Sequence, residues 1–89
     1  MKLTANLLDQ LLAAPHEDPV IYLERDEAGE ATGLAVWAEA LVPHSDIVVR
    51  HEELADQLGD DPQGAERAAA LQHLAESWQA DVEAALDPS

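Results

Sequence analysis

Between Pro62 and Leu86 the chain has no further proline and a single glycine, Gly64, and this uninterrupted run constrains the fold more than any other stretch of the 89 residues. At about 100° per residue, Leu71, Leu74, Ala75, Trp78, Val82, Ala85 and Leu86 fall on one side of a helix. Glu66, His73, Glu76, Glu83 and Asp87 fall on the other. Asp60-Asp61-Pro62 supplies an acidic cap followed by a proline in the first turn, where its missing N–H costs nothing. The spacing therefore predicts a helix over 62–86. Its apolar stripe reads as core, and 89 residues fit a single domain, since domains run roughly 50–250 residues, so residues 1–89 are expected to form one acidic domain.

Those preceding residues alternate in character. Leu3, Leu7 and Leu11 recur every fourth position, with Leu8 and Leu12 beside them, and predict a short helix over 4–14, capped by Thr4 and stopped by Pro15. Residues 20–25 (VIYLER) are β-branched and aromatic and predict a strand. Residues 26–32 form a turn with Gly29 free to take a positive φ. Residues 33–38 (GLAVWA) are read as the partner strand, although Leu34, Trp37, Ala38 and Leu41 also sit at helical spacing. Residues 46–50 (DIVVR) predict a third strand, and 51–58 (HEELADQL) a short helix ended by Gly59. The order is that of an α+β fold: an N-terminal helix, a small three-stranded antiparallel sheet, then a short helix and a longer C-terminal amphipathic helix packed on one face.

Seventeen Ala, thirteen Leu, six Val and two Ile supply most of the apolar content, with no Phe, one Tyr and two Trp. Alanine favours helix but buries little area, so the core is expected to be thin and leucine-dominated, and a homodimer that adds buried surface is compatible with it. There is no cysteine, which removes disulfides, thiolate metal sites and thiol chemistry together. Asn6, Asp9 and Gln10 interrupt the first leucine-rich stretch, so it does not read as a signal peptide, and no apolar run approaches the ~20 residues of a membrane span. The expectation is a soluble cytoplasmic protein (host cytoplasm if phage-encoded).

Charge narrows the function. Nineteen Asp and Glu oppose one Lys and three Arg, a formal net charge of −15. Residues 1–50 carry nine acids and three bases, while residues 51–89 carry ten acids and one base. Such a surface repels phosphate backbones and anionic lipid, so direct binding of nucleic acid or membrane is not expected. The expected partner is a protein with a basic surface.

No catalytic, cofactor or metal pattern is present. His16-Glu17-Asp18 and His51-Glu52-Glu53 hold ligand-type side chains, but adjacent residues rarely converge on one ion, and no His-Glu-x-x-His or calcium-loop spacing exists. Ser45, Ser77 and Ser89 lie outside any nucleophile-elbow context, and there is no phosphate-binding glycine loop. Paired carboxylates carry no weight in a chain this acidic. The chain reads as a non-enzyme without cofactor.

The partner-binding residues are expected among the C-terminal acids: Glu52, Glu53, Asp56, Asp60, Asp61, Glu66, Glu76, Glu83 and Asp87. Taken alone, the C-terminal helix face is too sparse to imitate a duplex. DNA carries one charge per ~1.7 Å of axis, whereas Glu76, Glu83 and Asp87 are separated by about 10 and 6 Å. Imitation requires the acids of 51–61 to share a surface with it.

The segment Pro43-His44-Ser45-Asp46-Ile47-Val48-Val49 resembles a strand of the phage uracil-DNA glycosylase inhibitors, small acidic DNA mimics. The likeness covers these seven residues, and the rest of the chain does not follow that family's order of elements. In size, acidity and lack of cysteine the chain is similar to phage anti-restriction and anti-CRISPR proteins. The charge of −15 on one small domain, with its excess in residues 51–89, gives the expectation of an inhibitor of phage anti-defence type, a viral protein that blocks a basic surface of a DNA- or RNA-handling protein. Two alternatives stand beside it. One is a regulatory or scaffolding module whose acidity is an adaptation to a salty cytoplasm, and the other an acidic antitoxin or immunity protein. Adaptation spreads carboxylates evenly; mimicry concentrates them.

Overall fold

The computed structural model of the chain describes residues 2–59 and 63–86. Three helices, α1 (Ala5–Ala13), α2 (His51–Leu58) and α3 (Gly64–Leu86), accompany three strands, β1 (Pro19–Arg25), β2 (Ala31–Ala38) and β3 (Ile47–Arg50). The α+β order read from the sequence is the observed one. The expected start of the last helix at Pro62, with its Asp60-Asp61 cap, lies outside the described residues.

Local chemistry sets the boundaries. Thr4 caps α1, its side-chain oxygen accepting the Leu7 N–H at 3.2 Å. Asp26 closes the β1–β2 turn by accepting the Ala28 and Glu30 N–H groups, and Gly29 takes φ +83°. Gly59 ends α2 at φ +64°. The ambiguous segment 33–38 is strand, because pairing with β1 satisfies its backbone. Helical spacing has meaning only for the next few residues, where Glu39–Leu41 form one 3-10 turn. A second such turn, His44–Asp46, takes up Asp46, so β3 begins one residue later than read from the sequence.

The sheet order is β2-β1-β3, with β1 antiparallel to both neighbours. Residues 39–46 therefore cross from one edge of the sheet to the other. Ile21 lies opposite Val36 and Val49, and this face meets the helices. The core there joins Ile21 and Val49 to Leu3, Leu8, Leu11, Leu54, Leu71, Leu74, Ala75 and Val82, with Trp78 packed at its margin. Val20, which alternates to the opposite face, is buried as well, as is Val42 of the crossover. Each fully buried Leu or Val contributes roughly 1.5–3 kcal/mol, and no Phe is needed to fill a core this thin.

Helix α1 packs against both α3 and α2, whereas α2 and α3 have only marginal contact with each other. The Leu3 N–H donates to Gln79 Oε1 at 2.7 Å and fixes the start of the chain on α3. Among the described residues no helix is long and apolar enough to cross a membrane.

Candidate acidic interface

The three arginines are all used inside the fold. Arg25 Nε donates to Asp46 Oδ1 at 2.8 Å, Arg67 Nη2 donates to Asp9 Oδ1 at 2.5 Å, and Arg50 pairs with Glu39. Each pair ties together elements distant in sequence: β1 to the crossover, α3 to α1, and the end of β3 to the start of the crossover. Lys2, exposed at the chain start, is the one base among the described residues without a carboxylate partner. The outward field is consequently that of carboxylates with almost no opposing charge.

Helix α2 carries one compact group. Glu52, Glu53 and Asp56 are all exposed and line one shallow depression with Ala55. They occupy positions i, i+1 and i+4, so three carboxylates fall within about 6 Å of helix axis. Glu52 and Glu53 also have a local role, since acids in the first turn oppose the positive end of the helix dipole. Asp56 has no such compensation and repels Glu52 and Glu53 one turn before it.

A cleft at the same end of the sheet is lined by Asp18, Pro19, Val20, Glu39, Arg50, His51 and Glu52. Asp18 sits in the left-handed region at φ +49°, and its carbonyl accepts the Glu39 N–H at 3.0 Å. Asp tolerates this conformation better than most residues. In the sequence Asp18 stands out only as part of the His16-Glu17-Asp18 cluster and not among the partner-binding acids. Only the pairing of Val20 with Arg50 brings the start of β1 beside the start of α2, and no linear spacing reveals that neighbourhood.

The acids of α3 are spread along the helix. Glu66, Glu76 and Glu83 are exposed, but about 15 and 10 Å of helix separate them, with exposed Ala68 and Ala69 between the first two and exposed Ala80 and Asp81 between the last two. Helices α2 and α3 both pack on α1, with little backbone contact between them; mimicry of a duplex requires Glu52, Glu53, Asp56, Glu66, Glu76 and Glu83 to share one surface. Asp60, Asp61 and Asp87 lie outside the described residues. A third group stands on the β1–β2 turn, where Glu24, Asp26, Glu27 and Glu30 are exposed at the far end of the sheet from the start of α2.

The segment 43–49 does not present an acidic strand. Asp46 is its one carboxylate, and it is buried and paired to Arg25. Of the histidines, His16 stacks on Trp37 with ring centroids 4.7 Å apart and planes at 52°. Among the described residues no three His, Asp or Glu side chains stand close enough to hold a metal ion. Comparison of the chain with models of known families, with curated proteins and with solved structures gave no match.

Proposed function

We propose that this protein acts by binding, not by catalysis, and that it blocks a basic surface of a DNA- or RNA-handling protein in the manner of phage anti-defence inhibitors. The observation that carries the reading is the internal consumption of all three arginines, which leaves the exposed carboxylates unopposed. The working face is the α2 end of the fold, where Glu52, Glu53 and Asp56 stand together beside Asp18. Complementarity of this kind governs encounter rate and partner choice more than affinity.

A second reading is supported by the acids of the β1–β2 turn and their spacing along α3. Carboxylates on several faces are what adaptation to a salty cytoplasm produces, and the charge then says nothing of the partner.

Affinity capture with the wild-type protein, repeated with Glu52, Glu53 and Asp56 all changed to Lys, separates the two. The inhibitor reading expects a nucleic-acid-binding protein that is captured by the wild type and lost with the variant. Added at equal molarity, the wild type should also displace that partner from its DNA or RNA. A partner captured equally by both forms, or one whose nucleic-acid binding is undisturbed, overturns it.

A further inference from the structure

In a chain carrying −15, the eight residues of β2, ATGLAVWA, include no charged side chain and no proline. This strand is also an edge of the sheet. It pairs with β1 only, and among the described residues no loop or cap hydrogen bond reaches its backbone from the other side. Proteins usually blunt such edges with charges, prolines, bulges or short length. The opposite edge is treated that way: β3 has four residues, its register with β1 slips between Ile21 and Tyr22, and it ends in Arg50. The register of β2 slips only at its first end, between Glu24 and Arg25, leaving Gly33 to Ala38 regular.

We infer that β2 is the contact strand of a homodimer, in which two copies pair antiparallel across this edge to make one six-stranded sheet. Charge selects the occupant. A basic partner gains nothing from an uncharged strand, whereas two strongly acidic copies can approach only where carboxylates are missing. Glu39, just beyond the strand, is already neutralised by Arg50. The sequence is self-complementary about Ala35. A two-fold axis through that residue sets Leu34 opposite the second copy's Val36 on the helix-covered face, where both are half-buried in the single chain. On the other face it sets Gly33 opposite the second copy's Trp37, whose side chain is 43% exposed. A Cβ on Gly33 would meet nothing within 4 Å, so the space above it is open to the incoming indole, and aromatic cover of an edge glycine is a recognised stabilising pair. One strand pair is a small interface beside the ~1,200–2,000 Å² of stable complexes, so the dimer is expected to be concentration-dependent.

Sedimentation equilibrium on the purified protein tests this without any other partner, and so independently of the inhibitor reading. The dimer fraction should rise with concentration, and again as salt is raised from about 0.1 to 1 M, because screening weakens repulsion between the copies. The open space at Gly33 and its ordinary φ allow Gly33→Glu without disturbing the fold, and circular dichroism checks this. That variant should weaken association at least tenfold, as should Trp37→Ala. Folded protein that stays monomeric at every concentration and salt, or a dimer indifferent to both substitutions, overturns the proposal. So does growth into open-ended oligomers.

Discussion

Arg25 Nε donates to Asp46 Oδ1 at 2.8 Å, and through this pair the last residue of β1 holds the last residue of the crossover immediately before β3 begins. The same guanidinium donates from Nη1 to the Gly29 carbonyl at 2.8 Å, so one side chain fixes both the β1–β2 turn and the return of the chain to the sheet. Asp46 is the one charged residue buried among those described. Asp46→Ala removes a charge-assisted bond from a carboxylate that is mostly out of water, while Arg25 keeps partial solvent contact. The expected loss is about 1–3 kcal/mol, read as a lower midpoint in urea unfolding. An unchanged midpoint would mean that the crossover is held by Val42 and the strand pairing alone.

Tyr22 gives a second test. Burial against the sheet, followed by the nearby Glu24 carboxylate, raises its pKa above the ordinary value of 10.0. The folded state therefore holds the phenolic proton more tightly than the unfolded state. This contribution to stability is complete below pH 10 and is lost as pH rises through the folded value. Tyr22 is the sole tyrosine, so tyrosinate absorbance follows it directly. The midpoint should lie above that of the urea-unfolded chain and fall part of the way back in Glu24→Gln. A native midpoint at or below the unfolded one contradicts the burial argument.

Self-repulsion should be measurable as well. With the arginines committed to internal pairs, most of the nineteen carboxylates face one another through solvent, and salt screens them over ~10 Å at 0.1 M. The melting temperature should rise between low salt and about 1 M NaCl. A continued steep rise toward multimolar salt would favour the salt-adaptation reading. A flat or falling response would show that repulsion does not limit this fold.

Metal should have no part in stability. The histidines are dispersed, with His16 engaged on Trp37 and His51 at the start of α2. Saturating chelator is expected to leave the melting temperature unchanged, and elemental analysis of purified protein to find no stoichiometric metal. A loss of several degrees would assign a ligand role to His16-Glu17-Asp18 or His51-Glu52-Glu53.

The elements were legible in the sequence because their signals are local. Thr4 caps, Gly29 and Gly59 turn, and the leucines recur with helical period. The candidate site was legible only in part. Glu52, Glu53 and Asp56 neighbour one another in sequence and so on the surface. Whether α3 joins them depends on α1 packing against both helices, a long-range contact that no periodicity encodes. Asp18 reaches the site, and Asp46 is withdrawn from the surface, through strand pairing and a crossover that only the folded sheet defines.

The central claim is that the carboxylates of α2 guide a basic partner, and the association rate of the captured partner at low salt measures it most directly. Changing Glu52, Glu53 and Asp56 to Lys replaces three attractive charges with three repulsive ones on an exposed face. It costs α2 the helix-dipole contact of Glu52 and Glu53 but leaves buried Leu54 in place, and circular dichroism checks that the variant is folded. Association should slow at least tenfold, and the difference should shrink as salt is raised. The same reversal at Glu24, Glu27 and Glu30 on the β1–β2 turn, or at Glu66, Glu76 and Glu83 on α3, should cost less. Unchanged association with the α2 variant, alongside a collapse with either of the other two sets, would contradict the account and move the working face to the turn or to α3.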